Sequence, residues 1–417
     1  MIEQTGAGAP TLTAAEQLDW LVAASARVPL PEQEIQQRVA PSLLTASGGP
    51  AGFNAAAGAV GPLTVTRAAV AASRPDQAQA AVHGGGLDYL LTVRVDQAGR
   101  VGHLELTLDE APPACWAEAD SRLAALGGRV SFAAATIAPD RTCRIEHGLD
   151  PDALRPIGSG FKLYVLGALG QAVAEGRASW GERLAIHEDW KSLPSGTLQD
   201  RPAGDALTLA EYADPMMSIS DNTATDHLIH RLGRDTVARQ LSLFGHQEPR
   251  ANEPFLTTRA FFQLKYSPDH VRRYLSIPPA ERAMLVEHLE SMPLPDTSQP
   301  WTQPREIDQI EWFASPVDIC HAYAGLLRLN QPEIGHALSL DPGGLGLDAA
   351  QFPTVWYKPG SEPGVVTLNY LARTADGRAM TASLMVSDPT TPPSNMDVLT
   401  KGRLIIRGAF QLLAQPH

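Results

Sequence analysis

Of the 33 basic side chains in this chain only five are lysines, and two of those five stand where an amine can do chemistry. The run Ser159-Gly160-Phe161-Lys162 sets a hydroxyl three residues ahead of an amine, a spacing that shares one helix face. A serine at a helix N-terminus sits in a positive field that favours an alkoxide or oxyanion. An amine whose pKa is depressed by burial or by positive neighbours can take the hydroxyl proton. The ordinary alternative is a capping serine beside a solvated lysine, and the pair alone does not decide between them. Further on, Ser220-Asp221-Asn222 reads by itself as a turn or helix cap. Trp356-Tyr357-Lys358-Pro359-Gly360-Ser361 ends a strand-like segment on another of the rare lysines. Each piece is common, but their order along the chain is not.

Taken in that order, Ser159-x-x-Lys162, Ser220-Asp221-Asn222 and Lys358-Pro359-Gly360 resemble the motif set of the serine β-lactamase and penicillin-binding-protein family, in its class A β-lactamase branch. Phe161 before the lysine and Met217 ahead of Ser220-Asp221-Asn222-Thr223-Ala224 match as well, and the resemblance covers residues ~118–417. It implies an α/β (α+β) domain with an antiparallel sheet flanked by helices. It also implies an acyl-enzyme on Ser159, with Lys162 as base or proton relay. Ser220 would carry a proton to the departing atom, and Lys358 would raise the local positive potential for an anionic substrate. Asn222, Gly360 and Ser361 fall at substrate-binding positions, and the backbone N–H groups of Ser159 and Ser361 would form the oxyanion hole. Asn252-Glu253-Pro254-Phe255-Leu256-Thr257 resembles the class A segment whose glutamate activates the deacylating water. Glu253 is therefore expected as hydrolytic general base, against the plainer reading of a helix-entry glutamate.

Departures from the pattern are also visible. Thr257 replaces an asparagine that helps hold the water, and Pro359 replaces a hydroxyl residue and offers no N–H. No arginine stands in residues 365–368, and the excess around residues 265–311 is expected to form a lid or helical flap. These changes point to a related acyl transfer or a different substrate shape. With residues 12–112 as a small α+β domain ahead of a hydrolase domain over 116–417, the chain resembles the two-domain β-lactamase-like proteins encoded in clavulanic acid biosynthesis clusters. Their first domain is cystatin- or ketosteroid-isomerase-like. That resemblance implies a biosynthetic or esterase-type serine hydrolase acting on a β-lactam or small ester. The alternatives are a β-lactam-binding pathway protein with little turnover and a D-Ala-D-Ala peptidase.

The elements that must position these residues follow from periodicity. Residues 12–44 carry helical spacing, 47–61 are Gly/Ala-rich, and 63–65, 87–95 and 101–108 read as strands, the last two as a hairpin. The Pro112-Pro113 pair marks a domain boundary. Beyond it come a helix from Trp116 through Leu126, strands at 130–137 and 142–146, and a helix from Ser159 to Glu175. Helical stretches follow at 208–232, 234–243 and 316–328, then strands at 365–373 and 379–386 and a last helix over 396–414. Strands at both ends of the domain predict a single antiparallel sheet.

Composition narrows the partners. A formal net charge of −13 argues against nucleic acid and anionic membranes, which need clustered positive charge. No apolar run reaches the ~18 residues of a membrane span. The first residues lack the basic and apolar regions of a secretory signal, so a cytoplasmic protein is expected, with a secreted or periplasmic one as the alternative. A monomer or small homo-oligomer is expected. Cys115, Cys143 and Cys320 fit neither a disulfide framework nor a zinc site and read as small buried hydrophobes. His227 and His230 are expected on a helix surface, without a metal and without any cofactor. His83-Gly84-Gly85-Gly86 reads as a loop, since no Gly-x-Ser-x-Gly elbow accompanies it. Asp341-Pro342-Gly343-Gly344-Leu345-Gly346 reads as a turn. Lys191, Lys265 and Lys401 are expected to be solvated.

Overall fold

The chain divides into two units, Met1–Ala111 and Pro112–His417. The computed structural model describes residues 12–71, 76–297, 301–393 and 395–415.

In the first unit, Thr13 and Glu16 form a reciprocal capping box that starts α1 (Ala14–Ser25). The expected helical stretch over 12–44 is broken by proline into α1, α2 (Glu32–Arg38) and α3 (Pro41–Ala46), because Pro29, Pro31 and Pro41 cannot sit in a helix interior. The Gly/Ala-rich stretch is itself helical as α4 (Gly49–Val60), where alanine propensity outweighs three glycines. Strands β1 (Thr64–Ala71), β2 (Gln77–Gly84), β3 (Leu87–Val95) and β4 (Val101–Leu108) form an antiparallel meander in that order. β2 includes His83 and Gly84, expected in a loop. Gly84 pairs with Leu87, so Gly85 and Gly86, at φ 59° and 82°, form the two-residue turn.

The second unit begins with α5 (Trp116–Ala124), β5 (Arg129–Ile137), β6 (Cys143–Leu149), β7 (Arg155–Pro156) and α6 (Lys162–Ala174). It continues through β8 (Arg183–Ala185), β9 (Ala206–Thr208), α7 (Leu209–Ser218), α8 (Asn222–Leu232), α9 (Arg234–Leu243) and α10 (Thr258–Tyr266). Then come α11 (Pro268–Ser276), α12 (Pro279–Glu290), β10 (Phe313–Ala314), α13 (Pro316–Leu329) and α14 (Pro332–Ser339). β11 (Thr354–Glu362), β12 (Val365–Arg373), β13 (Ala379–Ser387) and α15 (Asn395–Ala414) complete it. The main sheet runs β11-β12-β13-β5-β6, antiparallel throughout, so strands from both ends of the unit lie side by side. β13 is buried along its whole length and β12 over all but its last residue, because helices cover both faces. Phe132, Tyr370, Leu384 and Phe410 belong to one core with α5 and α15. The other face belongs to the larger core around α6, α8 and α13.

Four further expectations, all in this unit, need correction. The helix expected over 208–232 is two helices, parted where Ser220 takes φ 58°. Cys143 on β6 and Cys320 on α13 form a disulfide, and Cys115 is exposed; the partners lie 177 residues apart, a pairing that spacing alone cannot reveal. His227 is buried rather than on the surface: its Nε2 accepts the His187 N–H at 2.9 Å, and burial holds its pKa at about 4. Lys265, expected in solvent, is fully buried at the end of α10.

The disulfide leaves one free thiol. Alkylation of the denatured, unreduced protein is expected to label Cys115 alone. Cys143→Ser is expected to cost about 2–5 kcal/mol of stability, read by denaturant unfolding. Labelling of three thiols would refute the pairing.

Candidate active site

The serine turn is shaped by glycine. Residues Gly158–Phe161 form a single 3₁₀ turn that leads into α6, and Gly158 sits at φ 47°, in the left-handed region. A Cβ on Gly158 would lie 2.8 Å from the Ser361 nitrogen, and one on Gly360 would lie 1.9 Å from the Ile157 oxygen. Only glycines at both places let the backbone of β11 press against the turn that carries Ser159. Thr367 Oγ1 on β12 holds the contact by donating to the Ile157 carbonyl at 3.1 Å, and Asn369 Nδ2 on the same strand donates to the Lys358 carbonyl of β11 at 3.0 Å.

Lys162 lies one turn on from Ser159, fully buried. Its Nζ is 3.2 Å from Ser159 Oγ, 2.9 Å from Ser220 Oγ, 2.6 Å from the Ser220 carbonyl and 2.7 Å from Asn222 Oδ1. The break between α7 and α8 is what turns Ser220 toward it. Asp221 secures that break: its carboxylate accepts the Ala224 N–H as N-cap of α8 and also the N–H groups of Thr197 and Leu198. From β11, Lys358 Nζ reaches Ser220 Oγ at 3.1 Å, so two amines converge on one hydroxyl. Exposed Ser195 donates to the Ser220 carbonyl at 2.9 Å and stands at the rim.

Burial, with the positive charge of Lys358 adding to it, holds the Lys162 amine well below the usual lysine range; Asp221 and Asp226 oppose the shift. Burial brings Lys358 down to about 7. A neutral Lys162 has two N–H donors and one lone pair. The two short contacts, to the Ser220 carbonyl and Asn222 Oδ1, take the donors. The lone pair is left for a hydroxyl proton from Ser159 or Ser220. The geometry therefore allows proton transfer from Ser159 through Lys162 to Ser220.

The structure thus brings Ser159, Lys162, Ser220, Asn222, Lys358, Gly360 and Ser361 together. Glu253 is not among them. Phe255 takes the inward place in its segment, edge-on to Phe161, and the Leu256 carbonyl accepts the Trp312 indole N–H at 3.1 Å. Glu253 itself is exposed and lines a separate cavity with Arg234, Arg239 and Glu287. Thr257 caps α10, accepting the Ala260 N–H at 3.1 Å. Among the described residues no carboxylate hydrogen-bonds Ser159 Oγ or Lys162 Nζ. The segment after α10 forms α11 and α12, and Glu290 at the end of α12 bonds Thr257 and Arg234. Sequence reasoning passed over Asp221 as a clamp, Ser195 at the rim, and Asp226. Buried Asp226, its pKa pushed up to about 7 by desolvation, accepts the Thr258 and Arg259 N–H groups and ties α10 to α8. Among the described residues no group of three His, Cys, Asp or Glu side chains could hold a metal ion.

Residues 119–290 match the model of a family described as the beta-lactamase enzyme family. No curated protein matches the chain by sequence. Among solved structures, a beta-lactamase from Sphaerobacter thermophilus is similar at 21% identity, over 72% of this chain and 97% of that one, with a TM-score of 0.50. A mutant of the last common ancestor of Gram-negative bacteria class A beta-lactamase is similar at 14% identity, over 72% of this chain and 98% of that one, also at 0.50. At these identities the likeness is one of fold. The Pro112–His417 unit therefore has the class A β-lactamase-like fold, with the match to the beta-lactamase enzyme family model lying inside it.

Proposed function

We propose that this protein is a serine acyl-transfer enzyme that opens a β-lactam or small ester on Ser159 and releases the acyl group slowly. The observation that carries the reading is the buried Lys162 amine, 3.2 Å from Ser159 Oγ, with Ser220 Oγ bridging it to Lys358. Neutral Lys162 takes the Ser159 proton, Ser159 Oγ attacks the carbonyl, and the backbone N–H groups of Ser159 and Ser361 receive the oxyanion. Ser220 then passes a proton to the departing nitrogen or oxygen, and Asn222 orients the substrate's amide.

Slow release follows from the position of Glu253. A carboxylate that activates a deacylating water must lie within hydrogen-bond reach of that water beside the acylated serine. Glu253 faces another cavity, which favours a long-lived acyl-enzyme and a binding or biosynthetic role over rapid antibiotic destruction. The four-stranded meander of the first unit, with helices beside it, supports reading that unit as a cystatin- or ketosteroid-isomerase-like accessory of the clavulanic-cluster type. The Cys143–Cys320 bond favours an oxidising compartment over the cytoplasm expected at first. Alkylating thiols in whole cells before lysis tests this, and two free thiols at these positions would return the protein to the cytoplasm.

Intact mass after mixing with a chromogenic cephalosporin is expected to show a persistent adduct that Ser159→Ala removes. Glu253→Gln is expected to leave its lifetime unchanged. Rapid clearance that Glu253→Gln abolishes would overturn the slow-release reading.

The charge on Lys358 supplies a pH test. The amine is charged below about 7 and neutral above it, so attraction for a carboxylate is lost as pH rises. The second-order acylation rate with a carboxylate-bearing β-lactam is expected to fall through that range, relative to an uncharged ester. Lys358→Gln is expected to remove the difference between the two probes, and equal pH profiles in the wild type would exclude this role.

A further inference from the structure

Directly behind the serine turn lies a second buried group of charges that the acylation scheme does not use. Glu311, Glu362 and Lys265 are 4%, 7% and 0% exposed. Glu311 Oε2 accepts the Gly158 N–H at 3.2 Å and the Trp312 N–H at 2.6 Å. Gly158 is the residue before Ser159, so this carboxyl grips one side of the serine turn. Glu362 is the residue after Ser361 and, by strand alternation, points inward where Ser361 points out. Lys265 Nζ bonds Glu362 Oε1 at 2.9 Å and the Arg305 carbonyl at 2.6 Å. Thus one carboxyl holds the backbone beside Ser159, the other is the side chain of the residue next to Ser361, and the two carboxyl groups are hydrogen-bonding neighbours.

A proton completes the arrangement. Glu311 Oε1 and Glu362 Oε2 are buried and find no hydrogen-bond donor among the described residues. Two carboxylates facing each other there would leave two negative charges against one ammonium. One proton between them satisfies both oxygens and makes the trio neutral. Burial raises both carboxyls: Glu311 goes well above the ordinary range, with the charge of Glu362 adding to it, while Lys265 opposes the rise at Glu362, so Glu311 carries the proton and Glu362 is the anion that pairs with Lys265. The charged groups acting on Glu311 are Glu362 from β11 and Lys265 from α10; the Arg305 guanidinium lies beyond, bonding the Lys265 carbonyl.

We propose that Glu311 and Glu362, braced by Lys265, are positioning residues that clamp the two strands of backbone whose N–H groups, at Ser159 and Ser361, make up the oxyanion hole. The proposal rests on Ser159 being the acylated residue. The spacing of the two donors decides how well they meet the developing oxyanion, and it matters less for the neutral carbonyl of a bound substrate. Loss of the clamp therefore lowers the acylation step more than ground-state binding. Loss of the shared proton as pH rises does the same reversibly. Glutamine at 311 reproduces the protonated form, because its amide donates to Glu362 and its carbonyl accepts from Gly158, and it has no proton to lose.

The test measures acylation by a chromogenic cephalosporin, resolved into a limiting rate and a half-saturation concentration, from pH 6 to 10 in the full-length protein. Wild type, Glu311→Gln, Glu311→Ala and Ser159→Ala are compared. Glu311→Ala is expected to lower the limiting rate by roughly 10²–10³, the cost of losing one oxyanion donor, with little change in half-saturation. Glu311→Gln is expected to keep the neutral-pH rate and to lose the part of the alkaline decline that belongs to the clamp. Because Lys358 is common to both, its own decline cancels in the ratio of Glu311→Gln to wild type, which is expected to rise with pH. A folded Glu311→Ala that acylates as wild type overturns the proposal. If that variant does not fold, a flat Glu311→Gln to wild-type ratio overturns it instead. Absence of any adduct in wild type, or one that survives Ser159→Ala, removes the acyl-serine reading itself and the clamp with it.

Discussion

Two amines, Lys162 and Lys358, meet at one hydroxyl, Ser220 Oγ, and the fold has to keep both of them out of water. Burying an ammonium is costly unless acceptors surround it or its proton leaves. The site does some of each. Lys162 is given a backbone carbonyl, an amide oxygen and two hydroxyls, and Lys358 a hydroxyl and the Pro359 carbonyl. Three separate segments must arrive within hydrogen-bond distance for this to hold: the start of α6, the break between α7 and α8, and the middle of β11. The left-handed Ser220, the Asp221 clamp and the glycines at 158 and 360 are the local means by which they arrive.

The same economy appears a second time. Lys265 is as buried as Lys162, but its partner is a carboxylate, where Lys162 has only neutral hydroxyl, carbonyl and amide partners. Arginine fills most basic positions of this chain, yet its planar fork is always charged and demands more acceptors than these small cavities provide. Three of the five lysines accordingly lie at full burial within one unit.

Much of this was legible from residue order. Ser159, Lys162, Ser220, Asn222 and Lys358 were marked by short motifs whose local chemistry, caps and turns, survives in the structure. The closing strand 365–373 and the last helix were plain because apolar residues dominate the one and recur at helical spacing in the other. What was hidden depended on distant partners. Lys265 looked solvated because the carboxylate that holds it, Glu362, lies 97 positions away in the sequence. Cys143 and Cys320 meet only because α13 crosses the edge of the sheet. Glu253 misled for a related reason: its neighbours match a motif, but Phe255 fills the inward side, and the packing of Phe161, Trp312 and Phe255 fixes which way the segment faces. In β2, strand pairing prevailed over the loop signal of a glycine run, since its last two glycines suffice for the turn.

The disulfide has one more consequence. It closes a covalent ring that contains Ser159, Lys162, Ser220, Asn222, Glu253 and Glu311, while Lys358 and Glu362 lie downstream of it. A protease that cuts the main chain at one point between Cys143 and Cys320 would produce two fragments still joined through sulfur. In its oxidised form the protein can be nicked there without shedding either part of its site, and only reduction would let the two pieces separate.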